Sequence, residues 1–250
     1  DISKESKELS QINHPSIQKF IHVHFKKIEN KRKLMIYNEY FPYKRLIDVI
    51  LNSGKEPIWT PTKKLINIYG IAKGLLYLNS HQIPHQTPNP KNILVNENYE
   101  PKLSEIGFYT RPQNSKAATA MSSNHLDDFE FFYLSPEVII DKNANNEKSD
   151  VYSFSIIVYQ ILTNELPFDK IPKQHEFIKK MIEGNIHPKI NQPIPTIYID
   201  LLKKCFSFEQ SKRPSFIDIV SYLSKDQQFI TDEIDKTEFE RYKNLFEQHQ

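Results

Sequence analysis

The 250-residue chain sets 33 Lys and Arg against 31 Asp and Glu, a formal net charge of +2, and 38% of its residues are hydrophobic and 12% aromatic. That apolar content can build a sizeable core and rules against global disorder, while the balanced charge, with no long basic block, argues against a nucleic-acid partner or an electrostatic membrane contact. The single cysteine, Cys205, excludes an intrachain disulfide framework and fits a reducing compartment.

Residues Ser3 to Ile12 read as a short charged helix with Leu9 and Ile12 on one side, ended by the turn Asn13-His14-Pro15, because a residue before proline avoids the helical region. Two runs rich in Val, Ile, Phe and Tyr follow, Ile17 to Phe25 and Leu34 to Tyr40, read as strands around the charged turn Lys26 to Lys33. From Arg45 the period turns helical. It predicts helices over Arg45 to Leu51, Pro61 to Ser80, Lys148 to Thr163, His175 to Glu183, Thr196 to Phe206 and Phe216 to Leu223. Gly107 to Tyr133 is rich in Ser, Thr, Asn and Ala and reads as a long loop. In the tail, Thr237-Glu238-Phe239-Glu240 fits a capping box and precedes Tyr242, Leu245 and Phe246 at helical spacing, the pattern of a docked terminal helix. No run reaches the ~20 apolar residues of a membrane span; Phe154 to Leu162 is short and broken by Ser155 and Gln160. The start at Asp1 resembles no signal peptide, so a soluble, cytoplasmic chain cut from a longer one is expected.

His85-Gln86-Thr87-Pro88-Asn89-Pro90-Lys91-Asn92-Ile93-Leu94-Val95 resembles the catalytic loop of protein kinases, H-R-D-L-K-P-x-N-I-L-V. Further motifs follow in kinase order. Lys102-Leu103-Ser104-Glu105-Ile106-Gly107 is similar to K-L-x-D-F-G, and Tyr133-Leu134-Ser135-Pro136-Glu137 to Y-x-A-P-E. Lys148 to Phe154 resembles the start of the buried large-lobe helix, Asn164 to Phe168 the G-x-x-P-F turn, and Lys212 to Phe216 the R-P-S/T-F signal. Upstream, Asn13 to Ile17 resembles the N-H-P-N-I turn. The chain is therefore identified as similar to the protein kinase superfamily, in its tyrosine-kinase-like branch.

The resemblance implies an α+β, two-lobe kinase-like fold whose small lobe is truncated and begins at its helix. Residues 1–42 would be the partial small lobe and hinge, 43–224 the large helical lobe, and 225–250 a helical tail. It places Leu9, Phe20, His85 and Ile106 in the apolar stack that couples the lobes, sets Asp150 under the catalytic loop, and pairs Glu137 with Arg213. Asn38 would be the gatekeeper, Glu39 and Phe41 would offer hinge backbone bonds, Leu94 would lie beneath an adenine, and Glu5 would be the small-lobe helix acid. Asn92 and Glu105 would hold magnesium, which favours oxygen ligands at ~2.0–2.1 Å. ATP and magnesium are the implied cofactors, and other signalling proteins the implied partners.

The chemistry departs from the family pattern. Thr87 stands where the family carries the Asp that accepts the substrate hydroxyl's proton, and a threonine is no base at neutral pH. Asn89 replaces the phosphate-touching Lys, Gln86 the Arg that grips a phosphorylated loop, and Glu130 aligns with the activation-segment Thr. None of the five glycines forms a phosphate-binding G-x-G-x-x-G loop. Two readings stand: a catalytically impaired pseudokinase that works as an interaction module, and a divergent active kinase.

Overall fold

A computed structural model describes residues 10–28, 31–40, 44–52, 59–83, 85–86, 88–106, 128–141, 143–168, 174–184, 187–191 and 193–248. Two strands, β1 (Phe20–Ile28) and β2 (Lys31–Asn38), pair antiparallel as a hairpin. β1 starts later than its composition predicts, because Ile17 is used elsewhere, in an isolated parallel bridge to Leu103. The register slips between Phe20 and His22, so Phe20 lies opposite Asn38 and His22 opposite Tyr37. This bulge lets Phe20 point into the core while His22, His24 and Tyr37 stack outside, with the His22 and Tyr37 ring centroids 4.3 Å apart.

A second, small sheet in the order β3-β4-β5 was not legible as strands: β3 (Lys44–Arg45), β4 (Ile93–Val95) and β5 (Pro101–Leu103) are each too short to show alternation. The helices are α1 (Leu46–Leu51), α2 (Pro61–Ser80), α3 (Asp128–Phe131), α4 (Pro136–Ile140), α5 (Glu147–Thr163), α6 (Gln174–Ile182), α7 (Thr196–Cys205), α8 (Phe216–Lys225) and α9 (Lys236–Glu247).

Their ends have chemical causes. The Thr60 hydroxyl accepts the N–H of Lys63, with Pro61 at the first helical position of α2. Asn146 and Ser149 cap α5 reciprocally, which starts it at Glu147, and Asn164 closes it in the left-handed region at φ 58°. In α9 the expected Thr237 cap is corrected: the Asp235 carboxylate accepts the Glu238 N–H at 3.0 Å, and Thr237 lies inside the helix. The two long helices form the centre. α5 is buried along nearly its whole length, with Val151, Phe154, Ile156, Ile157, Val158 and Ile161 fully enclosed, and α2 contributes Ile66, Ile68, Ile71, Ala72, Leu75 and Leu78. Helices buried over so much of their surface form the interior on which the other elements pack. Among the described residues no helix is long and apolar enough to cross a membrane.

Candidate active site

The loop leading to β4 is held from below by one buried carboxylate. Asp150, near the start of α5, accepts the backbone N–H of His85 at 2.9 Å through Oδ2 and that of Gln86 at 3.1 Å through Oδ1. Burial pushes its carboxyl up to about 7, opposed by those two N–H groups. Burial also lowers the His85 imidazole to about 4, and among the described residues neither of its ring nitrogens has a hydrogen-bond partner. The ring is therefore neutral and acts as a packed apolar plate. Gln86 takes a positive φ of 74°, a conformation uncommon for a residue with a Cβ, which turns the chain sharply after His85.

Asn89 is buried and fastens the loop: its side-chain carbonyl accepts the N–H of Lys91 at 2.8 Å and of Asn92 at 3.3 Å. Asn92 is buried too, and its backbone carbonyl accepts both the N–H of Ser104 at 2.9 Å and the Ser104 hydroxyl at 3.0 Å. Glu105, the next residue, is exposed at φ 60°. Asn92 and Glu105 thus lie on adjoining stretches of backbone. Among the described residues, no group of three or more His, Cys, Asp or Glu side chains comes together to hold a metal.

Phe20, Asn38, Glu105 and Ile106 line one small cavity with Ile12, Ile17, Gln18 and Ser104. Its volume, about 20 Å³, has room for a water molecule. Leu94 is half-buried in β4, opposite Arg45 and Lys102. Glu39, expected to offer hinge backbone bonds, has intrachain partners at both backbone groups: its N–H donates to the Lys19 carbonyl at 2.8 Å, and its own carbonyl accepts Gln18 Nε2 at 3.0 Å. Its carboxylate takes the Lys19 N–H at 2.9 Å and the Lys102 ammonium at 3.0 Å. Lys102 and Ser104 were missed by sequence reasoning. Each sits inside a recognised motif but holds a partner that the motif does not specify. Thr87, Glu5, Leu9 and Phe41 lie outside the described residues.

Away from the loop, the Arg213 guanidinium is fully buried and meets Glu137 end-on, through Nη1 at 2.6 Å and Nη2 at 2.9 Å. It also donates to the carbonyls of Ser207 at 2.8 Å and Lys148 at 2.8 Å and lies 5.2 Å from the Tyr152 ring centre. Glu130 lies on α3, its carbonyl accepting the Tyr133 N–H at 3.1 Å.

A family model described as protein tyrosine and serine/threonine kinase matches residues 1–223. A putative serine/threonine-protein kinase/receptor, R826, of Acanthamoeba polyphaga mimivirus is 29% identical over 226 residues, covering 90% of this chain and 13% of that protein. The probable serine/threonine-protein kinase drkC of Dictyostelium discoideum is 27% identical, over 89% of this chain and 29% of its own length. The Homo sapiens ephrin type-A receptor 1 is 27% identical, over 89% of this chain and 22% of its own. The chain thus spans under a third of the length of each of these relatives. By the extent of the family match, and by the order of motifs around the loop just described, the chain belongs to the protein tyrosine and serine/threonine kinase family.

Proposed function

We propose that the chain is a kinase-fold module with impaired phosphotransfer, acting by binding other signalling proteins. The observation that carries this reading is Thr87 in the position where the family holds its proton-accepting carboxylate. Phosphoryl transfer depends on positioning and charge neutralisation, and general-base help alone is worth about 10²–10⁴ in rate. Asn89 supports the reading. It stands where the family has a phosphate-touching Lys, carries no charge, and spends its side-chain carbonyl on the Lys91 and Asn92 amides. The Asp150 grip and the Glu137–Arg213 pair are scaffold features, and their presence is compatible with a fold kept for its surface.

The adjoining Asn92 and Glu105 favour a second reading, a divergent ATP-dependent kinase. There, Asn92 and Glu105 would hold magnesium, whose charge would neutralise the transferring phosphate, while Leu94 and Asn38 would face the nucleotide. A phosphotransfer assay on the full-length protein, with magnesium or manganese, separates the two. The interaction module gives no turnover, and Thr87→Asp raises it only if the rest of the site is sound. Robust wild-type turnover that Asn92→Ala abolishes would establish the kinase reading instead. Thermal-shift titration with ATP, with and without magnesium, reports nucleotide binding separately from chemistry.

A further inference from the structure

The family match ends at residue 223, but α9 begins at Lys236 and is built into the core. Phe239, Tyr242 and Phe246 are buried, each edge-on to Tyr69 of α2 with ring centroids 5.4, 6.4 and 5.7 Å away. Ion pairs Lys63–Glu238 and Arg241–Glu100 tie the helix down on its flanks. At its far end, the Phe246 ring lies 5.3 Å from the ring of His14, in the turn before β1. The buried Tyr242 hydroxyl shares a 2.9 Å hydrogen bond with Ser16 Oγ in that same turn.

Two glycines on one face of α2 explain how three segments fit so closely. A Cβ on Gly70 would run into the Tyr242 hydroxyl and stand 2.7 Å from Pro101 Cγ of β5. A Cβ on Gly74, one turn later, would stand 2.7 Å from Leu103 Cδ1 and 3.2 Å from the Ser16 carbonyl oxygen. The bare backbone of α2 is therefore a trough that holds the tail helix, the turn and β5 together.

From Tyr242 a set of hydrogen bonds, joined through the backbone of Ser16, Leu103 and Ser104, runs to the candidate site. Ser16 meets the tyrosine hydroxyl through its own hydroxyl and, at its carbonyl, accepts the Leu103 N–H at 2.8 Å. The Leu103 carbonyl accepts the Gln18 N–H at 2.8 Å, and Ser104 then donates twice to the Asn92 carbonyl, at 2.9 Å and 3.0 Å. β5 is only three residues long, so its own ladder is short and its seating depends on such outside contacts. Buried bonds of this kind reinforce one another where water is excluded.

We infer that Tyr242 is a positioning residue for the candidate site: through Ser16 it fixes where β5 sits, and so where Ser104 meets Asn92. The C-terminal helix is a strap across the back of the site. This goes beyond the kinase-module reading, because it concerns the seating of β5 whether or not nucleotide binds or phosphate moves.

Native-state amide hydrogen exchange on the full chain tests it. Tyr242→Phe keeps the ring and removes only the hydroxyl. Exchange at the amides of Gln18, Leu103 and Ser104 should speed up about three- to tenfold, the effect of losing one buried hydrogen bond, while amides in α7 and α8 hold the wild-type rate. Ser16→Ala should reproduce the pattern, and the double variant should add nothing to either single change. Unchanged exchange at Leu103 and Ser104, additive effects in the double variant, or equal acceleration throughout the chain would each overturn the inference.

Discussion

The Arg213 guanidinium and the Glu137 carboxylate form a two-point ion pair, at 2.6 Å and 2.9 Å, across 76 positions of sequence. It joins α4 to the turn before α8 with no exposed surface on the arginine side chain. Removing one member of such a pair strands the other charge in the interior, so Arg213→Ala should cost about 3–5 kcal/mol in chemical denaturation. Arg213→Lys should recover little of this, since an ammonium cannot reach Glu137, Ser207 and Lys148 together as the fork does. An unchanged unfolding midpoint for Arg213→Ala would show that the pair is idle.

The buried His85 and Asp150 pull stability in opposite directions as pH changes. Below its ordinary 6.5, His85 takes a proton in the unfolded chain but not in the folded one until about 4, so its contribution is lost as pH falls through that window. Asp150 keeps its proton in the folded chain to about 7 but releases it near 3.8 when unfolded. Its contribution is therefore full below 3.8 and lost as pH rises toward 7. In the native protein the two slopes offset. His85→Phe, which also removes two unpartnered ring nitrogens, should leave the Asp150 slope exposed. Urea unfolding of this variant between about pH 4.5 and 6.5 should show stability falling with pH more steeply than in wild type.

Gly70→Ala should destabilise, although alanine is favoured over glycine in a helix interior by about 1 kcal/mol. The added methyl meets the Tyr242 hydroxyl and Pro101 Cγ. Because the hydroxyl is its nearest obstacle, adding Tyr242→Phe should recover part of the loss, a coupling that a double-mutant cycle on melting temperatures measures.

Cys205 is fully enclosed in α7, and burial pushes its thiol up to about 12. A maleimide at neutral pH should leave it unmodified in the native protein and label it once the chain is unfolded in denaturant, as mass spectrometry would show. Rapid labelling without denaturant would mean that α7 opens readily.

Local signals were readable where the chemistry is local. Pro61–Ser80 could be bounded residue for residue, because Thr60 and Pro61 mark its start in sequence as they do in space. The Glu137–Arg213 contact was readable only through the order of motifs, since nothing local joins residues so far apart. The Lys102–Glu39 pair and the Tyr242–Ser16 bond, 63 and 226 positions apart, carry no motif and were invisible. So was the small sheet: three residues in β4 and three in β5 show no period. The start of β1 shifted for a tertiary reason, the diversion of Ile17 to Leu103.

The slack at Ile21 has a consequence for what lengths this hairpin can have. After it, every residue of β1 is locked in phase with β2: Val23 faces Ile36 on the core side, and His24 faces Met35 on the outer side. Deleting Val23 would draw a neighbouring histidine, His22 or His24, into its place and set an imidazole against Ile36. Changes of side chain on the outer face are cheap there, whereas losing a single codon would exchange inner and outer faces along part of β1.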